Sequence, residues 1–142
     1  MVKIAIGSDH GGFEYKAKII EYLKENNFKY EDMGTYSTDS CDYPIIAQKV
    51  AKEVVSGNAD KGILICGTGI GMSIAANKVR GIRAALCSDT FSARATRAHN
   101  NSNILCLGQR AIGECLALDI VDVWLHTEFD GGRHQRRIDE IE

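Results

Sequence analysis

With 142 residues, 44% of them hydrophobic, the chain is expected to form a single domain over 1–142 with a sizeable core. A net charge of −2 gives no electrostatic reason for nucleic acid or an anionic membrane to be the partner, and the Gly62 to Ala76 run is too short and glycine-broken to span a bilayer. Five cysteines without a Cys-x-x-Cys pair and four histidines (10, 99, 126, 134) without ligand spacing argue against a disulfide framework or a structural metal, and a start that reaches an acid by Asp9 is no signal-peptide core, so a cytoplasmic protein is expected.

Val2 to Ile6 reads as a short apolar strand running into Gly7-Ser8-Asp9-His10-Gly11-Gly12. Phe13 to Asn26 follows with apolar residues at 13, 17, 20 and 23 and charges between, the pattern of an amphipathic helix. The loop sets a carboxylate and an imidazole at the carboxyl end of a strand, where open α/β sheets bind ligands. Ser8 or Asp9 equally suits a plain helix cap, whereas His10 has nothing apolar beside it to bury it. Phe28 to Met33 is a weaker, edge-like strand ended by Gly34. A polar loop over 35–42 closes at Tyr43-Pro44, with Pro44 placed to open a helix from Ile45 to Ser56.

The centre of the chain is Ile63 to Asn77. Ile63-Leu64-Ile65-Cys66 ends a strand, glycines 67, 69 and 71 make a tight loop, and helix-compatible residues continue to about Lys78. Alternate glycines let successive backbone N–H groups turn inward, and the helix N-terminus adds its own free N–H groups, so the loop suits an anion. Two familiar glycine loops fit poorly. Met72-Ser73 follows Gly71 where a phosphate loop needs Lys-Ser/Thr, and Met72 holds the third-glycine place of the dinucleotide fingerprint, although Asp89 stands about where that fingerprint has its acid. Cys66 beside such a loop is a base next to a place for negative charge, which suggests enolate-type chemistry; the plain alternative is a buried strand-end thiol.

Ile82 to Cys87 is a fourth strand, and Ser88-Asp89-Thr90 caps a helix over Phe91 to His99 that Asn100-Asn101 stops. Ile104 to Leu107 is a fifth strand, ending in Gly108-Gln109-Arg110, and Ile112 to Leu125 is an amphipathic helix carrying the one tryptophan, Trp124. Five strands alternating with helices predict a three-layer α/β/α, Rossmann-like domain with a parallel sheet in the order 2-1-3-4-5. Strands 1 and 3 are then neighbours whose connections leave in opposite directions, so the Asp9-His10 and Cys66 loops meet at a crevice. The tail, 129–142, follows a Gly131-Gly132 break as a C-terminal helical extension in which Arg133 and Arg137, four apart, face the same way, as a phosphate clamp requires. A solvated helix is the commoner meaning of such a run. With no obvious place on a finished sheet, the tail is expected to dock on a partner subunit.

Six blocks, Gly7-Ser8-Asp9-His10, Asp42-Tyr43-Pro44, Cys66-Gly67-Thr68-Gly69-Ile70-Gly71-Met72-Ser73, Asn77-Lys78 to Arg83-Ala84-Ala85, Arg97-Ala98-His99-Asn100 and Gly131-Gly132-Arg133, together resemble the type B ribose-5-phosphate isomerases. That family is grouped with isomerases of allose and galactose 6-phosphates, and the resemblance runs from Lys3 to Arg137. It implies interconversion of ribose 5-phosphate and ribulose 5-phosphate, in the pentose phosphate pathway, by a homodimer that needs no metal or other cofactor; whether two dimers associate further is left open. It implies Cys66 as the base at C2, Thr68 assisting near O1 and O2, and amides of Gly67, Gly69, Ile70 and Gly71, with Ser73 beside them, holding the enediolate. His99, with Asp9 near it, would open the furanose by protonating the ring oxygen. His10, Arg133 and Arg137 would grip the phosphate, and Tyr43, Asn100 and Arg110 would line the site, with His99, Asn100, Arg110, Arg133 and Arg137 contributed by the neighbouring subunit.

The residues agree with that chemistry on their own terms. Moving a carbonyl by one carbon removes a weakly acidic C–H proton and stores charge on two oxygens, so a base and preformed N–H donors must stand together. A thiol is a poor base near neutrality until a helix N-terminus or a cation favours its thiolate, and the helix after Gly71 supplies the first. Allose or galactose 6-phosphate is an alternative substrate, because one hydroxymethylene separates them and pocket depth is not carried by residue spacing. A nucleotide-binding regulatory module, resting on the glycine run and Asp89, is the alternative from another class.

Overall fold

The computed structural model describes residues 2–142. Five strands, β1 (Lys3–Ser8), β2 (Lys29–Asp32), β3 (Lys61–Cys66), β4 (Ala84–Leu86) and β5 (Ile104–Gly108), alternate with α1 (Phe13–Glu25), α2 (Tyr43–Val55), α3 (Ile70–Asn77), α4 (Thr90–Asn100) and α5 (Glu114–Leu125), and α6 (Arg133–Ile141) ends the chain. Every strand pairing is parallel. Alternate residues of the strands feed two separate cores. Ile4, Ile6, Ile63, Ile65, Leu105 and Leu107 point to the side where Ile19 and Leu23 of α1, Ala93 of α4 and Ile120, Val121 and Trp124 of α5 pack. Ala5, Leu64, Cys66, Ile104 and Cys106 point to the side of Val50 in α2 and Met72 and Ala76 in α3. Strands covered on both faces read as unbroken apolar runs, which is what Ile63–Ile65 and Ile104–Leu107 are.

The sheet order is β2-β1-β3-β5-β4, so the expected 2-1-3-4-5 is corrected at its end: the fifth strand lies between the third and fourth. Handedness and burial explain this. Right-handed crossovers place the helix of a connection running one way across the sheet on one face, and that of a connection running back on the other. The connections β2 to β3 and β3 to β4 run one way with α2 and α3 on one face; β1 to β2 and β4 to β5 run back, with α1 and α4 on the other. All of β5 is buried and needs a neighbour on each side, whereas β4, three residues long and partly exposed, suits an edge. The crossing at β1 and β3 is unaffected, so the crevice between their tips stands where strand order alone predicts it.

Element ends differ from expectation where local hydrogen bonds decide. Pro44 enters within the first turn of α2, which begins one residue earlier at Tyr43. The Asp89 carboxylate accepts from Ser92 N at 2.6 Å and caps α4, and Asn101, at φ 46°, ends it. Among the described residues, no helix is long and apolar enough to cross a membrane.

Candidate active site

At the end of β1, the Asp9 carboxylate accepts from Gly11 N at 2.9 Å and caps a single 3₁₀ turn over His10–Gly12, while its own N–H donates to the Ile65 carbonyl of β3 at 3.2 Å. The cap reading of Asp9 and its place beside β3 therefore hold together. At the end of β3 the chain turns through Gly67-Thr68-Gly69 into α3. Gly69 adopts φ +80°, and its N–H donates to Cys66 Sγ at 3.1 Å. The Thr68 hydroxyl accepts from Ile70 N at 3.2 Å, so this side chain caps the loop it stands on.

Asp9, Tyr43, Cys66, Gly67, Thr68, Ile70, Gly71 and Ile74 line an open cleft of about 470 Å³. Cys66 is 6% exposed at its floor. The thiol belongs to the core beneath α2 and α3 and also lines the cleft that the Asp9 carboxylate of the first strand's loop lines. Tyr43 forms a wall: a Cβ on Gly71 would stand 2.5 Å from its Cε1, so the ring can lie there only over a glycine. Arg110 N donates to the Gly67 carbonyl at 2.9 Å, and the Arg110 side chain lies over Gly67, one of the residues that line the cleft. His10 Nδ1 accepts from Cys41 N at 3.3 Å, which ties the 3₁₀ turn to the polar loop before α2. Ser73 donates its hydroxyl to the Ile70 carbonyl at 2.8 Å.

Besides Cys66, two further cysteines, Cys87 and Cys106, are buried. Burial, reinforced by Asp89, pushes the Cys87 thiol up to about 11, and burial likewise raises Cys106, so both are held protonated at neutral pH.

His99, Asn100, Arg133 and Arg137 form a second group at the other end of the sheet. The end of α4 lies at the amino ends of β4 and β5, where Arg83 Nε donates to the Asn101 carbonyl and Asn103 N donates to the Arg83 carbonyl, both at 3.0 Å. Cys66 stands at the carboxyl end of β3, away by about the length of its six-residue strand, roughly 20 Å. None of these four residues lines the Cys66 cleft. The base of α4 is fixed by Arg97, whose guanidinium donates to the Ser102 carbonyl (2.6 Å), Asn101 Oδ1 (2.9 Å) and the Thr127 carbonyl (3.2 Å). The tail then folds back on α4. Asp130 N donates to the Ala98 carbonyl at 3.0 Å, Gly131 and Gly132 take positive φ, Ile138 is buried, and Arg83 pairs with Glu142 at 2.5 Å.

That fold-back makes a contact absent from the sequence reading: the His99 and His134 rings stack, centroids 4.4 Å apart and 14° from parallel. With Asp130 they bring three ligand atoms within 4.8 Å of one another, an arrangement able to approach a divalent cation, although Arg133 and Arg137 beside it oppose positive charge. Partial desolvation, helped by His99, Arg133 and Arg137 and opposed by Asp130, holds the His134 imidazole below the usual histidine range. No signal in the sequence pairs two histidines so far apart; only the glycine turn at 131–132 hints that the chain doubles back.

A family model described as Ribose/Galactose Isomerase matches residues 4–141. The chain is 50% identical to ribose-5-phosphate isomerase B of Escherichia coli (strain K12), covering 99% of this chain and 95% of that one. Among solved structures, ribose-5-phosphate isomerase B of Clostridium thermocellum matches with a TM-score of 0.98 at 55% identity, covering 99% of this chain and 95% of that one. Ribose-5-phosphate isomerase B from Mycoplasma genitalium, solved with bound ribulose 5-phosphate, matches with a TM-score of 0.94 at 46% identity, covering 99% and 93%. The sheet, the glycine loop at the tip of β3 and the match over nearly the whole chain agree: this chain belongs to the ribose/galactose isomerase family.

Proposed function

We propose that the chain isomerises ribose 5-phosphate and ribulose 5-phosphate through an enediolate, as an enzyme of the pentose phosphate pathway, with Cys66 as the base. The observation that carries this reading is the Cys66 sulfur at the floor of an open cleft, accepting the Gly69 N–H, with the Asp9 carboxylate lining the same cleft. A hydrogen bond of that kind is strengthened when its acceptor carries charge. Sulfur removes the C2 proton of the aldose and returns it to C1 to give the ketose. The negative charge that passes to O1 and O2 meets N–H groups of the 67–71 loop and the N-terminus of α3, which need no rearrangement to receive it. The relatives named above favour the five-carbon substrate over allose or galactose 6-phosphate and over a nucleotide.

Opening the furanose needs an acid near the ring oxygen, and the one candidate that the family resemblance names, His99, lies at the opposite end of its own chain. We infer that a second copy brings its His99, Asn100, Arg133 and Arg137 to the Cys66 cleft, so that each site is shared. The phosphate, remote from the reacting carbons, then anchors C2 over the sulfur through His10 of one copy and the two arginines of the other. The Arg110 side chain lying over Gly67 favours its acting from the chain that carries Cys66 rather than from the neighbouring subunit.

Mixing two inactive variants tests both halves of this reading. In a random mixture of Cys66→Ala and His99→Ala chains, half the dimers are mixed and one of the two sites in each regains both groups, so about a quarter of wild-type activity is expected to return. Mixtures that stay inactive after subunit exchange would overturn the shared site. A Cys66→Ala protein with wild-type turnover would overturn the mechanism.

A further inference from the structure

The ring of His99 stands exposed on the last turn of α4, and among the described residues no hydrogen bond orients it. A general acid must present one nitrogen to its proton acceptor in a narrow range of angle and distance, and an unheld imidazole on a helix end samples several rotamers. One surface does restrain it: the flat face of His134, 4.4 Å away and 14° from parallel.

We propose that His134 is the positioning residue for His99, holding the imidazole by face-to-face stacking in the orientation that ring opening of the sugar requires. This rests on the isomerase reading above and on His99 as the acid. His134 itself is well held. It sits in the first turn of α6, which Ile138 anchors in the core; the turn at Gly131 and Gly132 sets the direction of α6, and Asp130 N–H ties the start of that turn to the carbonyl of Ala98, next to His99. An aromatic pair so placed is worth only about 1 kcal/mol. That is enough to select one rotamer among a few. Desolvation first, then the charges of His99, Arg133 and Arg137, lower the His134 imidazole from its ordinary value against the pull of Asp130. Arg137, three residues on, is the helical neighbour of His134 on α6, so the stacking ring stands beside one of the side chains inferred to grip phosphate.

Ring opening can be measured apart from proton abstraction, and this separates positioning from general damage. Ribulose 5-phosphate has no furanose form, since its O5 carries the phosphate, so exchange of its C1 hydrogen for deuterium in heavy water reports enediolate formation alone. For His134→Ala, kcat for ribose 5-phosphate isomerisation is expected to fall about fivefold, the equivalent of that contact, with KM and the C1 exchange rate within about twofold of wild type. His134→Phe keeps a flat face and should recover most of the lost kcat. A parallel loss of exchange and isomerisation in His134→Ala, or a His134→Phe protein no better than His134→Ala, would overturn the proposal. A wild-type protein that neither isomerises ribose 5-phosphate nor exchanges the C1 hydrogen would instead overturn the isomerase reading, and this inference with it.

Discussion

Gly69 carries the heaviest steric demand in the active-site loop. Its φ of +80° is a left-handed conformation, and a Cβ there would stand 2.5 Å from the Leu86 side chain and 2.9 Å from the Leu107 carbonyl carbon. The backbone atom cannot move aside as a side chain can. Gly69→Ala therefore combines left-handed strain with overpacking, a cost of about 2–4 kcal/mol, and swings the amide off Cys66 Sγ. The expected result is a thermal midpoint lower by roughly 7–13 °C and kcat reduced at least about tenfold; unchanged melting and turnover would show that neither constraint acts. A glycine at 69 and a cysteine at 66 are legible in sequence because the chemistry sits in one contiguous stretch, where strand, loop and helix follow in order. His134 is not legible in that way. Its role depends on a partner brought near only by the reversal at Gly131-Gly132, and in sequence it is one more residue of a basic tail.

Among the elements, the strands were legible as strands but not as neighbours. The signal that could have ordered them is length and continuity: Ile104–Leu107 is an unbroken apolar run that must be covered on both faces, while Ala84–Leu86 is too short to hold a central place. The habit that consecutive strands lie side by side pointed the other way, and burial prevailed. In the tail, α6 packs on α4 of its own chain, with Ile138 4% exposed and Arg83–Glu142 as a second hold, and its docking on a partner subunit belongs to the shared site proposed above. That ion pair is solvent-facing and contributes little, so Ile138 dominates. Ile138→Ala is expected to cost about 2–5 kcal/mol at this contact, more than a nine-residue helix without a side-chain N-cap can spare. Amides of 133–141 should then exchange quickly while those of β1, β3 and β5 stay protected, and KM for ribose 5-phosphate should rise as Arg133 and Arg137 lose their places. Unchanged protection in α6 would show that something other than Ile138 holds it.

At the scale of the whole molecule, the separation of the two residue groups becomes the governing fact. A chain that keeps its thiol at the carboxyl ends of the strands and its paired histidines at the amino ends does not bring the two groups together, and under the mechanism proposed above its site is completed by a second copy. Beside the cleft, Ile70 (50% exposed), Ile74 (58%) and Leu86 (41%) leave an apolar surface in water, with Ile70 and Ile74 one turn apart on α3 and Leu86 against the Gly69 loop. A second copy covering this surface would bury it and bring a foreign α4 and α6 within reach of Cys66. Ile74→Glu places a charge in its centre. The expected outcome is a folded monomer by sedimentation, with wild-type circular dichroism and little activity at micromolar protein. Because Ile74 also lines the cleft, the loss could come from damage there, and mass action separates the two causes. Activity per chain that climbs as the variant is concentrated, in step with reassociation, belongs to lost pairing. A monomer as active as wild type would mean that one chain holds a complete site, and the second copy would have no part in the chemistry.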